Sequence, residues 1–379
     1  MDVQLKPIRD QVVVITGASS GIGLVTAKAA ARRGACVVLA ARNERDLASA
    51  VEAIRAEGGR AIYRVADVAD PRQVDAIADA AVREFGRIDT WVNNAAVSMY
   101  GRIMDLALED MRRQFDVIYW GQVHGSRAAV PHLRKQGGAL INVASALADR
   151  AIPLQGNYCA AKHALKAFTD SLRMELEEEG APISVTLVKP GSIDTPFFEK
   201  ARTLFDVEPQ PVPPVYAPEV VADTILECAE RPVRDIAVSG MAEVIALSSL
   251  VPRLADKYME RSTFDSQLTK LPVTPERRDN LYEPVEYDGG ERGRTWTGRT
   301  RGMSLYTKAA LHPGLTAVAA VLGLGLVLAA TSRRRGGSAR GGEPARDQLR
   351  PGADGASAAL PAGGDAPTAM PGPEVLSMP

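Results

Sequence analysis

The sequence predicts an α/β fold, a doubly wound parallel sheet in a single catalytic domain, followed by a C-terminal extension. Short apolar runs rich in β-branched residues alternate with helical patterns along the first two-thirds of the chain. The first run leads directly into a glycine-rich turn and an alanine-rich helix. Candidate functional motifs follow the ends of several runs, where the carboxyl ends of parallel strands meet in one cleft.

The first element is the stretch QVVVITGASSGIGLVTAKAAARRGACVVLAARN, which has the order strand, turn, helix, strand. This order is that of a βαβ unit. Gly17, Gly21 and Gly23 lack the Cβ that would keep the backbone away from a pyrophosphate, and the helix N-terminus supplies N–H donors. The stretch therefore predicts a dinucleotide-binding turn in a Rossmann-like fold.

The alternation continues to about residue 240. Five further strand-like runs are separated by helical patterns, and read RAIYRVAD, DTWVNNA, ALINVAS, SVTLVKP and DIAVSG. Crossover connections of this kind require a parallel sheet with helices on both faces.

Composition excludes several function classes. The 379 residues contain 45 lysines and arginines against 46 acidic residues, so no charge excess favours nucleic acid as a partner. Cys36, Cys159 and Cys228 stand alone, which predicts neither disulfides nor a metal site. Cys159 is either a reactive thiol or, as we favour, a packed one. The N-terminus has no apolar signal core, so we expect a cytoplasmic catalytic domain.

Tyr158 and Lys162 stand four positions apart in a helical pattern, so their side chains share one helix face. A nearby ammonium favours phenolate over phenol, so we expect Lys162 to lower the tyrosine pKa. Ser145, at the end of a strand-like run, is placed to donate a hydrogen bond to the oxygen that the tyrosine protonates. These three residues are the predicted catalytic group.

Taken together, the motifs resemble those of the short-chain dehydrogenase/reductase family. The resemblance covers roughly residues 8 to 245 and includes six motifs in the order of the family. They are the glycine turn Thr16 to Gly23, the pair Asp67 and Val68, the NNAA stretch at residues 93 to 96, Ser145, Tyr158 with Lys162, and the PGSIDT stretch at residues 190 to 195.

The resemblance implies hydride transfer between a nicotinamide and a carbonyl or secondary alcohol. Tyr158 would move the proton, Ser145 would orient the oxygen, and Lys162 would assist the tyrosine and hold the ribose. Asn93 would steady the sheet. The implied cofactor-binding residues are Thr16, Gly17, Ser19, Ser20, Gly21, Ile22, Gly23, Arg42, Asp67, Val68, Asn94, Ala95, Tyr158, Lys162, Pro190, Gly191, Ile193 and Thr195.

The end of the second strand predicts the coenzyme. NAD enzymes usually carry an acidic residue there for the ribose 2′-hydroxyl, whereas this chain has Ala40, Ala41 and Arg42. Arg42 can pair with a 2′-phosphate, so we expect NADP(H) to be preferred over NAD(H). The alternative for Arg42 is a solvated surface side chain.

One position departs from the family pattern. Ile118 stands where the family has a catalytic asparagine, and its side chain cannot form a hydrogen bond. Gln122, one turn onward, either substitutes for that amide or lies on the helix surface. The departure leaves an alternative function open, that of a membrane-tethered NADP(H)-binding sensor or scaffold with weak or no catalysis. The intact Ser145, Tyr158 and Lys162 favour the enzyme.

Residues 197–217 occupy the place of the substrate-covering segment of the family, and are named the covering segment below. Phe197, Phe198, Leu204, Phe205 and Val207 make it apolar. An apolar cover favours an apolar small-molecule substrate, although these side chains can equally pack on the sheet.

We expect four regions: a catalytic domain over residues 1–260, an irregular extension at 261–310 that either wraps the domain or links it, a transmembrane helix at 311–332, and a disordered tail at 333–379. The run LTAVAAVLGLGLVLAA just reaches the length of a membrane span. A buried or interfacial helix is the alternative. We therefore expect a membrane-associated protein and, from the resemblance, a homodimer or homotetramer.

Overall fold

The computed structural model describes residues 3–239, 248–312 and 316. The chain forms two compact units, 1–320 and 321–379, and every described residue belongs to the first unit. The expected membrane helix at 311–332 lies outside the described residues apart from 311, 312 and 316, and the expected tail at 333–379 lies wholly outside them.

A seven-stranded, all-parallel sheet forms the centre of the first unit, in the order β12-β7-β6-β4-β1-β2-β3. Each of its strands arises from one of the apolar runs, so the predicted α/β fold is confirmed. The strands are β1 (Val12–Thr16), β2 (Cys36–Ala41), β3 (Arg60–Val65), β4 (Thr90–Asn93), β6 (Gly138–Val143), β7 (Ile183–Pro190) and β12 (Asp235–Val238).

Helices cover both faces of the sheet, because successive side chains of a strand point to opposite faces. Val13 and Ile15 of β1 pack in a core with helices α1, α2 and α7, whereas Val14 packs in a second core with α3 and α5. The helices are α1 (Gly21–Arg32), α2 (Glu44–Ala56), α3 (Pro71–Phe85), α4 (Leu108–Phe115), α5 (Gly121–Gln136), α6 (Gly156–Glu178) and α7 (Pro218–Glu230).

The strand order reverses at β1, which pairs with β2 on one side and with β4 on the other. A crevice opens at such a switch point, outside the carboxyl ends of the strands. The chain turns that follow β1, β2, β4, β6 and β7 therefore converge there, and they carry the predicted motifs.

The C-terminal extension is built into this unit. Helix α8 (Pro252–Ser266) begins before residue 260 and leads into β13 (Leu268–Pro272), which pairs with the covering segment. Thr307 of α9 (Leu305–Leu311) donates a hydrogen bond of 3.2 Å to the carbonyl of Ala237 in β12. The remaining short strands are β5 (Met99–Tyr100), β8 (Ser192–Ile193), β9 (Arg202–Thr203), β10 (Val207–Pro209), β11 (Val215–Tyr216) and β14 (Thr300–Arg301).

Residues 273–299, between β13 and β14, are named the strap, and three of them, Asn280, Pro284 and Asp288, line the cavity in the crevice. Of the two roles considered for the extension, these contacts fit wrapping of the catalytic domain. Within the part of the chain that the structure describes, no helix combines the length and the apolar character needed to cross a membrane.

Truncation tests the wrapping role. A chain ending after residue 320 should melt within about 2 °C of the full chain, whereas one ending after residue 250 should melt at least several degrees lower, since each lost kcal/mol costs about 2–4 °C. Circular dichroism melts of the three chains measure this. Equal melting of the 250-residue chain would show that the extension is only a linker.

Candidate active site

The turn between β1 and α1 has no room for side chains. Gly17 has a φ of +66°, and a Cβ on Gly23 would lie 2.2 Å from the carbonyl oxygen of Gly17. The Asn94 amide, at the end of β4, donates to the carbonyls of Thr16 (3.0 Å) and Gly17 (3.2 Å). The result is a backbone-lined cradle at the N-terminus of α1, which fits the phosphates of a dinucleotide.

A cavity of about 500 Å³ extends from this cradle along the carboxyl ends of the strands. Among the predicted site residues, only Thr16 and Gly23 do not line it. These two support the turn from behind, since the Thr16 hydroxyl accepts hydrogen bonds from the backbone of Asn94 (3.0 Å) and Ala95 (3.2 Å). The structure therefore brings the two sets of predicted residues, catalytic and coenzyme-binding, to one cleft.

The catalytic group lies where β6 and α6 meet. Ser145 follows β6 and begins a short 3-10 turn, and it forms a hydrogen bond with Tyr158. Lys162 lies one helical turn beyond Tyr158, with Nζ 5.7 Å from the centre of the tyrosine ring. The Lys162 ammonium donates to the carbonyl of Val143 at 2.8 Å, at the end of the same strand.

The expectation that Lys162 lowers the pKa of Tyr158 is wrong when only the groups of the protein are considered. Burial raises the pKa of Tyr158, and the hydrogen bond with Ser145 only partly opposes that shift. Ile118 and Phe197 pack against Tyr158, and Phe197 meets its ring edge-on at 6.0 Å. Desolvation therefore outweighs the ammonium, and Tyr158 is a protonated acid.

Lys162 is shifted in the opposite sense. Burial lowers its pKa to about 7, because the ammonium loses hydration and gains only a carbonyl partner. The tyrosine and the lysine are thus both pushed toward their neutral forms. A lysine whose pKa is near 7 can gain or lose its proton when its surroundings change.

The two residues at the departure from the family pattern are both buried. Ile118 lies in a π-helical turn, Asp116–Trp120, and packs with Tyr158. Gln122 is 2% exposed and donates to the carbonyl of Val143 at 3.0 Å. A surface position for Gln122 is therefore wrong: its amide and the Lys162 ammonium share one acceptor.

The strap contacts the wall of the cavity beside the ends of β2 and β3. The Arg42 guanidinium donates to the carbonyl of Tyr282 at 2.7 Å and to that of Asn280. Asp67 is paired with Arg113, which also donates to the carbonyl of Leu281 at 3.0 Å. Arg42 is therefore held at the cavity wall by backbone carbonyls, and it is not a freely solvated side chain.

Other predictions concern residues behind the cleft. The Asn93 amide donates to Asn142 at 2.9 Å, which bridges β4 and β6 inside the sheet. Cys159 is buried, and burial raises its pKa to about 11, so the thiol stays protonated and packed.

Several individual residues of the cavity wall belong to no sequence motif, although the covering segment as a region was predicted to lie at the site. They come from the covering segment, from α8 and from the strap, which no short motif connects to the strands. They are Lys200, Val212, Pro213, Pro214, Tyr258, Met259, Ser262, Thr263, Ser266, Asn280, Pro284 and Asp288.

Comparison with known proteins agrees with this geometry. The family model described as short chain dehydrogenase matches residues 11–204. An uncharacterised oxidoreductase of Bacillus subtilis, YxnA, is 47% identical over 340 residues, which is 88% of this chain and 93% of that protein. At most about 45 residues of this chain lie outside that match, so the match extends well beyond the family model.

Two characterised proteins are also similar. The 11-beta-hydroxysteroid dehydrogenase A of Sesamum indicum is 35% identical over 237 residues, covering 59% of this chain and 67% of that protein. The crystal structure of an alcohol dehydrogenase from Thermococcus sibiricus, complexed with 5-hydroxy-NADP, superposes with a TM-score of 0.53 at 25% identity. It covers 60% of this chain and 95% of its own.

Replacing Lys162 with methionine should separate stability from function. Below pH 7 the wild-type chain must hold a buried charge, so Lys162→Met should melt at an equal or higher temperature, and Gln122 still satisfies the Val143 carbonyl. Between the pKa of Lys162 in the folded chain, about 7, and its higher pKa in the unfolded chain, the free energy of unfolding of the wild type should rise with pH. Relative to the variant, the rise is up to about 1.4 kcal/mol per pH unit.

Denaturant titrations of both proteins at pH 6, 7, 8 and 9 measure this difference. A difference that does not change with pH would contradict the lowered pKa. Lys166→Met, at a half-buried lysine on the same helix that pairs with Asp149, is the matched control.

Proposed function

The chain belongs to the short-chain dehydrogenase family and is an oxidoreductase of CH–OH groups, and we propose that it uses NADP(H) to interconvert a carbonyl and a secondary alcohol in an apolar small molecule. One observation carries the proposal. Ser145, Tyr158 and Lys162 open into the same cavity as the glycine turn.

Bound NADP(H) would supply or accept the hydride. The glycine turn would hold its phosphates with backbone N–H groups, and Lys162 and the segment around Ile193 and Thr195 would hold its nicotinamide end. These assignments rest on the family motif and on the cavity lining.

Tyr158 would exchange the proton with the substrate oxygen, which Ser145 orients through a second hydrogen bond. Because burial keeps Tyr158 protonated, the resting site is prepared to donate a proton to a carbonyl oxygen, which is the reductive direction. In the oxidative direction, the positive nicotinamide of the oxidised coenzyme would favour the phenolate.

The missing asparagine would slow this exchange without preventing it. The Ile118 side chain has no group that could relay a proton. Gln122 stands four positions later in the sequence, and its amide donates to the Val143 carbonyl, which also accepts from Lys162. Slow turnover, and not pure binding, is the consequence that fits an intact catalytic group.

The substrate end of the cavity supports an apolar ligand. The covering segment contributes Phe197 and Phe198, and the loops after β6 contribute Leu147 and Ile152. The buried hydroxyl of Tyr100 has no hydrogen-bond partner among the described residues, so it can receive a polar group of the substrate. The steroid named for the sesame relative is one substrate class with this character.

The choice of NADP(H) rests on Arg42. No carboxylate follows β2 in the sequence, and Arg42 lies in the cavity wall with two of its N–H groups on strap carbonyls. Its remaining donors suit a 2′-phosphate. The similar alcohol dehydrogenase was solved with an NADP derivative.

A homodimer or homotetramer through α4, α5 and α6 remains part of the proposal. Leu108, Trp120 and Met174 are large apolar side chains on or beside these helices that are 62%, 47% and 63% exposed, and such an assembly would cover them. Membrane association through residues 311–332 also remains a prediction, because most of that segment lies outside the described residues.

Tyr158→Phe tests the proton donor. NADPH oxidation with a panel of apolar ketones and aldehydes should fall by about 10²–10⁴-fold in kcat/KM, because the ring still packs but the proton is gone. NADPH affinity, measured by fluorescence titration, should change less than about twofold. Tyr63→Phe is the matched control, since the Tyr63 hydroxyl contacts only Glu44 at 3.4 Å, away from the cavity. Full turnover by Tyr158→Phe would reject the tyrosine as the acid.

Ile118→Asn, assayed in parallel, should raise kcat several-fold while lowering the melting temperature, since it buries an amide among apolar side chains. A fall in kcat would show that the apolar packing of Tyr158 matters more than the missing relay.

Arg42→Ala tests the coenzyme. Loss of a charge-assisted hydrogen bond, about 1.5–3 kcal/mol, should weaken NADPH binding by roughly 10–100-fold and leave NADH binding nearly unchanged. Isothermal titration with both coenzymes measures the ratio. An equal loss for NADPH and NADH would mean that Arg42 acts only by holding the strap.

A further inference from the structure

Lys200 of the covering segment lies at the glycine turn. Its ammonium donates to the hydroxyl of Ser20 at 2.7 Å and to the carboxylate of Asp288, in the strap, at 3.1 Å. The Lys200 side chain is 12% exposed, and it lines the cavity together with Ser20 and Asp288. The covering segment therefore places a positive charge inside the cavity, next to the backbone cradle of the glycine turn.

Ser20 is the residue immediately before α1, a position where a serine hydroxyl usually caps the helix. Within the described chain its hydroxyl caps no N–H group of α1, and it accepts from Lys200 instead. The N–H groups of the first turn are thus not satisfied by this side chain, while the lysine is fixed directly beside them.

The covering segment and the strap are joined at this point. Glu199, next to Lys200, accepts hydrogen bonds from the backbone of Thr295 (3.1 Å) and from the side chain of Arg294 (3.3 Å). The Gly290 carbonyl of the strap accepts from the backbone of Gly21 at 2.8 Å. Lys200 is therefore held in place from two sides, by the turn and by the strap.

The glycine turn of the family motif carries no side chain with a full positive charge. A dinucleotide brings two negative charges in its pyrophosphate, and the glycine turn offers only neutral donors and about half a positive charge from the helix. Arg42 is held at the adenosine end and Lys162 at the catalytic group. Among the charged residues of the described cavity wall, Lys200 is the cation hydrogen-bonded to the turn.

We propose that Lys200 is a pyrophosphate-binding residue of the coenzyme site, carried by the covering segment and held in position by Asp288 of the strap. Two of its three N–H donors are used by Ser20 and Asp288, which leaves one for a phosphate oxygen. The inference rests on the proposed function, and it adds a residue from outside the glycine turn to the recognition of the coenzyme. Because Asp288 lies on the strap, it also gives the strap a part in binding.

The test compares ligands that differ by one phosphate. Adenosine 2′-monophosphate lacks the phosphate that would meet Lys200, whereas adenosine 2′,5′-bisphosphate has it. Their dissociation constants, together with that of NADPH, are measured by competition in the full-length chain. The wild-type chain should prefer the bisphosphate, and Lys200→Gln, which keeps a hydrogen-bond donor but not the charge, should lose about tenfold or more of that preference.

Two variants serve as controls. Lys200→Arg keeps the charge and should retain most of the preference. Lys28→Gln makes the same substitution at a lysine that also contacts the strap, through Glu291 at 2.7 Å, but lies outside the cavity wall. It should bind all three ligands as the wild-type chain does.

The possible outcomes distinguish a failure of the role of Lys200 from a failure of the proposed function. An unchanged bisphosphate preference in Lys200→Gln, with NADPH still bound, would overturn the role of Lys200 and leave the proposed function standing. An equal loss of both adenosine ligands would show a collapsed site and also overturn the role. A wild-type chain that binds neither NADPH nor NADH would overturn the proposed function and, with it, this inference.

Discussion

The coenzyme end of the cleft depends on one close approach, that of Gly23 to the carbonyl of Gly17. A Cβ at residue 23 would lie 2.2 Å from that oxygen, so strand β1 and helix α1 can be joined in this way only by glycine. The tight turn places the N-terminus of α1 at the cleft, where Gly21 lines the cavity. It also puts the Gly17 carbonyl 3.2 Å from the Asn94 amide, which ties β1 to β4 at the reversal of strand order. Backbone sterics thus keep side chains out of this part of the cleft.

Desolvation governs the catalytic end. Tyr158 and Lys162 are close enough for attraction between phenolate and ammonium, yet burial raises the pKa of the tyrosine and lowers that of the lysine. Removal of water penalises each charge separately, and the apolar contacts of Ile118 and Phe197 strengthen that penalty. Burial therefore keeps Tyr158 protonated and brings the pKa of Lys162 close to neutral pH, where a bound ligand can change its charge. An asparagine in place of Ile118 would make this region more polar, so the departure from the family pattern adds to the burial that raises the pKa of Tyr158.

Short-range patterns predicted most of the fold and much of the cleft. Each strand of the central sheet is a run of apolar residues, and each motif follows a strand end, so local sequence was sufficient to place them. The tyrosine pKa was predicted wrongly because it depends on packing by Ile118 and Phe197 from other elements. Lys200 and Asp288 were missed because they are 88 positions apart and carry no periodic signal. Contacts over that distance follow from tertiary structure and cannot be read from a motif.

The strap differs in kind from the sheet that it covers. Apart from the fully buried Leu281, it is held by backbone hydrogen bonds and by ion pairs such as those of Lys28 with Glu291 and Arg292 with Glu219. Partly exposed pairs of this type contribute about 0–1 kcal/mol each, far less than burial of a sheet face. Local opening draws on the least stable contacts first, so we expect the strap to open before the sheet does. The ion pair of Lys200 with Asp288, in contrast, lies in the cavity wall, so it links the extension to the chemistry of the cleft.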